Sequence, residues 1–259
     1  MDSYLVGFIA SDGHNTGSYW TITQTLSGID VFNKIHNRYG YTYKEVPISE
    51  WGKQRKFTMN YKNKYHCKYL ESWGIPVGNK TYSLSFPSNK PSDEIWHYLR
   101  GMFDGDGSFS VEYNRYGRVQ IISNVMWCNS CNVFLSKYGI DSHISHDKRH
   151  AGISTIYIKK LESIKIFFTY LYNNCYIYMD IKYEKWIYFM HMRDYYKYTI
   201  DLKERQRLHL EVVNSINFSN WKPCLHDSCS ECHGTGIKLS GGICWHALSC
   251  DCPKCRPMS

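Results

Sequence analysis

No run of apolar residues in the sequence is long enough to cross a membrane. The stretch "IKIFFTYLY" soon meets Asn173 and Asn174, well short of the roughly 20 apolar residues that a spanning helix needs. The N-terminus also lacks a basic start followed by an apolar core, so no secretory leader is expected. These absences predict a soluble, intracellular (cytoplasmic) chain with no membrane partner. Acidic residues are the scarcer charge, 23 against 31 Lys plus Arg, for a formal net charge of +8. Cysteine is scarce over most of the length. Of eleven cysteines, seven fall between Cys224 and Ser259, where their density points to metal ligation in an intracellular chain, not to disulfides.

What is present is unevenly placed. From Cys224 onward Lys238, Lys254 and Arg256 balance Asp227, Glu231 and Asp251, so the whole surplus of +8 sits in residues 1–223. A basic, tyrosine-rich body suits a polyanionic partner, because Lys and Arg gain affinity by releasing counterions from phosphates. The length of 259 residues permits one large domain or two modest ones.

The body contains an internal repeat. "YLVGFIASDGHN" (Tyr4–Asn15) and "YLRGMFDGDGSF" (Tyr98–Phe109) both read as a helix running into Asp-Gly, and Asp106 follows Asp12 by 94 residues. Each copy continues into a β-branched, aromatic strand, "YWTITQ" and then "RVQIISN". Helical segments ending in Tyr-Gly follow, "DVFNKIHNRYG" and "NVFLSKYG", with Gly40 and Gly139 as expected C-caps. Further strands ("RKFTMNY", "STIYIKK") and helices ("KYHCKYLESWG", "LESIKIFFTYLYN") complete an αββαββα pattern in each copy. A period this long marks duplicated half-domains, not a solenoid.

Asp2 or Ser3 would cap the first motif helix, and Ser92 the second, with Asp93 and Glu94 in its first turn. Ile95, Leu99, Met102 and Phe103 share one face of that second helix. Gly7 and Ser11, like Gly101 and Gly105, stand four apart, a spacing that lets two helix backbones approach closely. If the copies pack through these helices about a pseudo-twofold axis, Asp12 and Asp106 emerge together at two C-terminal ends. There like charges repel and helix dipoles disfavour anions, which leaves a place for a hard divalent cation. Such an ion can activate water and stabilise a leaving oxygen in phosphodiester cleavage. "DGDGSF" is not an EF-hand start: the glycine is misplaced and the twelfth position is Arg115.

Together the two motifs resemble the paired LAGLIDADG motifs of homing endonucleases in their single-chain form, over about residues 1–195. The intervening "WGIPVGNKTYSLSFPSNKPSDEIWHYLRGMFDGDGSF" is similar to group I intron and intein endonucleases. The resemblance implies an α+β fold in which two pseudo-symmetric αββαββα repeats build a β-saddle for the DNA major groove, its basic and aromatic strand residues touching phosphates and bases. It implies that Asp12 and Asp106 bind Mg²⁺ (or Mn²⁺) and act in catalysis. It implies that Lys80 ("GNKTYS") and Lys182 ("MDIKYEKW") polarise solvent near the scissile phosphate. Gln24 ("TITQ") and Asn124 ("IISN") would order the water pocket. The first motif departs from the pattern in carrying Ala10 where relatives have an earlier acid, and the second in carrying Arg100 where a small residue is common.

The tail reads separately. Cys229, Cys232, Cys252 and Cys255 form two C-x2-C pairs at zinc-ribbon spacing and are the expected Zn²⁺ ligands. Cys224, His226, Cys244 and His246 form a candidate second zinc set, with Cys250 as a substitute. "CSECHGTG" is similar to the knuckle of DnaJ-type chaperones, but the second arm lacks the trailing glycines, so no chaperone role follows. Cys128 and Cys131, in a predicted helix, are expected to be core thiols. The expected organisation is repeat 1 (1–97), repeat 2 (98–200), a helix and linker (201–222) and a small zinc-ribbon-like module (223–259). Two functions fit: a monomeric, site-specific endonuclease for double-stranded DNA, or a non-cleaving binder on the same fold, either an intron RNA maturase or a DNA-binding regulator.

Overall fold

The computed structural model describes residues 1–25, 28–47, 55–112 and 116–196. The zinc-ligand sets and the helix expected after Asp201 lie outside the described residues. The first repeat runs α1 (Ser3–Asp12), β1 (Gly13–Asn15), β2 (Tyr19–Thr25), α2 (Ile29–Tyr39), β3 (Tyr43–Val46), β4 (Lys56–Lys62) and α3 (Lys64–Glu71). The second runs α4 (Ser92–Asp106), β5 (Gly107–Glu112), β6 (Tyr116–Asn124), α5 (Val125–Ser136), β7 (Ser142–His146), β8 (Ile153–Ile158) and α6 (Leu161–Tyr172). Both copies are αββαββα, and the fold is α+β. A seventeen-residue helix that the repeat pattern did not contain, α7 (Asp180–Tyr196), follows. A division between residues 97 and 98 falls inside α4. No helix among the described residues is long and apolar enough to cross a membrane.

Each repeat forms a four-stranded sheet with the second repeat's order matching the first, β1-β2-β4-β3 and β5-β6-β8-β7. Alternation of side chains along strands sorts the two faces. In the first sheet Trp20 and Ile22 lie opposite Tyr61 and Met59, and Trp20, Ile22 and Met59 are fully buried. In the second, Val119 and Ile121 lie opposite Ile158 and Ile156, again in the core. Cys128 and Cys131 are buried thiols of α5, and burial pushes both well up from the ordinary thiol range.

The chain divides into two compact units. The first, residues 1–108 with 118–179, contains all of α1 to α4 and α5 to α6. The second joins residues 109–117 to the chain from Asp180, and within it Phe109 packs edge-on against Phe189 at 5.3 Å between ring centroids.

Helix termini follow their local chemistry. Asp2 is the N-cap of α1, its carboxylate accepting from the Tyr4 amide at 2.8 Å. Ser92 is instead the first residue of α4, and the cap position is Pro91, which offers no side-chain acceptor. The acids Asp93 and Glu94 in the first turn supply the dipole complement there. Gly40 and Gly139 both take the left-handed conformation, φ 73° and 71°, that ends α2 and follows α5.

Candidate active site

The most extensive packing between any two elements of the first unit is α1 against α4. Absent side chains make it possible. A Cβ at Gly7 would collide with the backbone of Tyr98, and one at Gly101 with the backbone of Tyr4 and Phe8. A Cβ at Gly105 would strike the Ser11 side chain and stand 2.7 Å from Asp12 Oδ2. The four-residue spacing of small residues therefore sets helix on helix. It also brings the Asp12 carboxylate against the backbone immediately before Asp106.

The motif positions unlike each other between the copies are structural. Asp104, which matches Ala10, is buried and accepts hydrogen bonds from Tyr4 Oη at 2.9 Å and the Met179 amide at 2.8 Å. The matching tyrosine, Tyr98, instead accepts the indole N–H of Trp127 at 3.0 Å. Burial beside the Asp104 carboxylate holds the Tyr4 phenol well above its ordinary range. Arg100 is also buried. It donates to the carbonyls of Leu171 at 2.9 Å and Ile177 at 2.8 Å, tying α4 to the end of α6 and the following segment.

Lys80 arrives from the connection between α3 and α4. Its Nζ donates to the carbonyl oxygens of Ile9 (2.9 Å), Gly13 (2.6 Å) and Ser11. These carbonyls cluster where α1 ends and β1 begins, and that of Ile9 also accepts the Gly13 amide. The ammonium therefore caps α1 and offsets the negative end of its dipole. Burial pushes the Lys80 pKa down to about 8, while the nearby Asp106 and Asp12 carboxylates pull it back up. Gln24, near the end of β2, donates its side-chain amide to Asp12 Oδ2.

A cleft of about 310 Å³ opens beside these groups, lined by Ser11, Lys80, Thr81, Asp106 and Ser123 among others. Asp12, Asp106, Lys80 and Gln24 are thus brought together. Asn124 is used differently: it caps α5 by accepting from the Trp127 amide at 2.9 Å and donates to the Leu84 carbonyl at 2.8 Å. Lys182 stands in the first turn of α7, in the second compact unit. Among the described residues no group of three or more His, Cys, Asp or Glu side chains could hold a metal ion. Sequence reading missed Ser123. The signal was the strand period of two, which puts it on the same face as Val119 and Ile121.

The faces of the strands turned away from the core carry Lys44, Lys56, Lys62, Thr21, Thr23 and Asn60 in the first sheet. In the second they carry Arg118, Gln120, His143, Thr155 and Tyr157.

Residues 93–172 match the sequence profile of the LAGLIDADG-like domain. No curated protein matches the sequence. Among solved structures, the LAGLIDADG meganuclease I-AabMI bound to uncleaved DNA is similar with a TM-score of 0.50 at 13% identity, over 84% of this chain and 97% of that one. I-SmaMI, solved on an uncleaved DNA target with calcium ions, aligns over 84% of this chain and 97% of its own, with 14% identity and a TM-score of 0.49. Full-length DUF199/WhiA from Thermatoga maritima aligns over 84% and 67%, with 16% identity and a TM-score of 0.48. The paired αββαββα architecture is therefore the LAGLIDADG fold, and residues 93–172 are a LAGLIDADG-like domain.

Proposed function

We propose that the chain is a site-specific endonuclease that hydrolyses phosphodiester bonds in both strands of double-stranded DNA with Mg²⁺ (or Mn²⁺), one monomer supplying both halves of the site. The observation that carries this reading is the Asp12 carboxylate lying against the backbone that leads into Asp106. The residues suit a Mg²⁺ ion. Two carboxylates, with no metal-holding group of three or more His, Cys, Asp or Glu among the described residues, fit a cation that keeps several waters and takes phosphate oxygens from its substrate. When bound, such an ion supplies Lewis acidity and an activated water. The chain's own part is to hold the two acids: α1 against α4 by small residues, Asp12 by Gln24, and the end of α1 by Lys80. The outward strand positions that carry Lys44, Lys56, Lys62 and Arg118 would lie on DNA phosphates. Lys182 would take the solvent-polarising role of the second half.

The test is cleavage of a randomised plasmid library with Mg²⁺. Wild type linearises a subset of sequences, and Asp12→Asn and Asp106→Asn each lower the rate by about 10²-fold or more, since each removes a charge aimed at the transition state. Equal cleavage by wild type and Asp106→Asn would end the nuclease reading.

A non-cleaving binder, an intron RNA maturase or DNA-binding regulator, is the second reading. Lys80 favours it, because three carbonyls already engage its ammonium. Retention of intron RNA, with DNA left intact at every metal concentration, would select that reading. For the tail we propose a zinc module with Cys229, Cys232, Cys252 and Cys255 as ligands, and Cys224, His226, Cys244 and His246 as a second set. Elemental analysis of metal-replete protein should find at least one Zn²⁺ per chain.

A further inference from the structure

Beside the first turn of α1, at the end away from Asp12, the fold buries a cationic group that the site above does not use. Arg100 is 3% exposed, and its guanidinium lies 5.3 Å from the centre of the Tyr4 ring. Nε donates to the Ile177 carbonyl, and Nη1 to the Leu171 carbonyl and to His97 Nδ1 at 2.9 Å. Among the described residues Nη2 makes no hydrogen bond, and the guanidinium forms no ion pair. Asp104, about one turn further along α4, is engaged by Tyr4 Oη and the Met179 amide. A buried charge in these surroundings calls for a counter-ion.

A cavity of about 70 Å³ opens beside it, lined by Asp2, Arg38, Tyr39, His97, Arg100 and Tyr176 among others. Liquid water takes about 30 Å³ per molecule, so the space suits one small ion and no nucleotide. Its donors come from α2 and α4. A guanidinium can only donate, so His97 Nδ1 is the accepting nitrogen and Nε2 carries the proton. Burial, and then the charge of Arg100, push the imidazole pKa down and favour that neutral form. Arg38 adds an exposed guanidinium, held 4.6 Å over the Tyr176 ring and bonded through Nε to Tyr39 Oη at 3.1 Å. Asp2 is the one acid among the lining residues, and one of its oxygens accepts the Tyr4 amide. An oxyanion that retains a proton can donate to this carboxylate, whereas a fully ionised one is repelled by it.

We propose that this cavity binds inorganic hydrogen phosphate, with Arg100, His97 and Arg38 as donors and Asp2 accepting the anion's own hydroxyl. Sulfate has the same shape and charge without that proton, and the carboxylate excludes it. Asp12 stands at the far end of the ten-residue helix α1, about 15 Å away by the helical rise, so the site does not depend on the nuclease reading. An anion that binds only the folded chain also stabilises it.

Isothermal titration calorimetry of the full chain near neutral pH, with ionic strength held by chloride, should show one phosphate bound per chain. Phosphate should bind at least about 10-fold more tightly than sulfate, because only phosphate satisfies the carboxylate. Arg38→Ala removes an exposed donor and should weaken phosphate by about 10-fold or more. Asp2→Asn keeps a side chain able to cap α1 and should bring sulfate to within about 3-fold of phosphate. Phosphate should raise the melting temperature of wild type more than that of Arg38→Ala. A nucleoside 5′-monophosphate, too large for the cavity, should leave the phosphate titration unchanged. Sulfate bound as tightly as phosphate in wild type, an affinity unchanged in Arg38→Ala, a preference retained in Asp2→Asn, or displacement by the nucleotide would each overturn the proposal.

Discussion

At the scale of single residues, Lys80 shows how burial and charge compete. Its ammonium is held by three backbone carbonyls and two nearby carboxylates, yet desolvation wins and lowers its pKa from 10.5 to about 8. A lysine that releases its proton more readily when folded makes the unfolded chain the better proton binder between those two values. Stability contributed through Lys80 therefore rises as pH increases from about 8 to 10.5, by up to roughly 3 kcal/mol. Tyrosines that titrate in the same range, such as Tyr4, act with the opposite sign, so the quantity to measure is a difference. Urea unfolding of wild type and Lys80→Met across this range should give a difference that grows in favour of wild type. A flat difference would mean that the side chain is not desolvated. The buried Tyr4–Asp104 bond invites a simpler measurement. Tyr4→Phe removes one donor from a buried carboxylate and should cost about 1–3 kcal/mol, seen as a lower urea midpoint at unchanged slope.

At the scale of elements, the decisive contact is α1 on α4. The spacing of Gly7, Ser11, Gly101 and Gly105 announced a close approach in the sequence, and backbone atoms of the opposing helix do occupy the space where Cβ atoms would stand. Gly101→Ala must push whole helices apart and should cost about 2–4 kcal/mol, more than ordinary overpacking of a pliable core. Gly40→Ala supplies the contrast. It meets nothing within 4 Å and is penalised only by its left-handed backbone, about 1 kcal/mol. Comparable losses for the two would show that the helices can separate freely. Other elements were less legible. The Ser92 cap expected for α4 is a Pro91 cap, because the helix starts one residue earlier than the side-chain pattern suggested. The α7 helix escaped the repeat logic altogether, having no counterpart in the first copy.

At the scale of the whole molecule, the surplus of positive charge matters through its distribution. Lys44, Lys56, Lys62 and Arg118 occupy outward strand positions. If those faces meet DNA, each phosphate contact adds about −0.9 to the slope of log K against log salt. Lys56→Ala and Lys62→Ala should each weaken binding across all sequences and reduce that slope by about one. Fluorescence anisotropy with a labelled duplex at several salt concentrations would measure it. Unchanged slopes would move the DNA to another face.

Taken alone, the sequence determined the duplication, the αββαββα order and the two acids at matching helix ends, because periodicity, caps and repeated glycines are local signals written along the chain. Only the tertiary structure decided which polar side chains serve those acids. Gln24 and Asn124 look alike as strand-closing amides, yet one binds Asp12 and the other caps a helix. Partnership across the fold depends on strand register and on which backbone carbonyls a buried donor can reach, and neither is fixed until the sheets and helices pack.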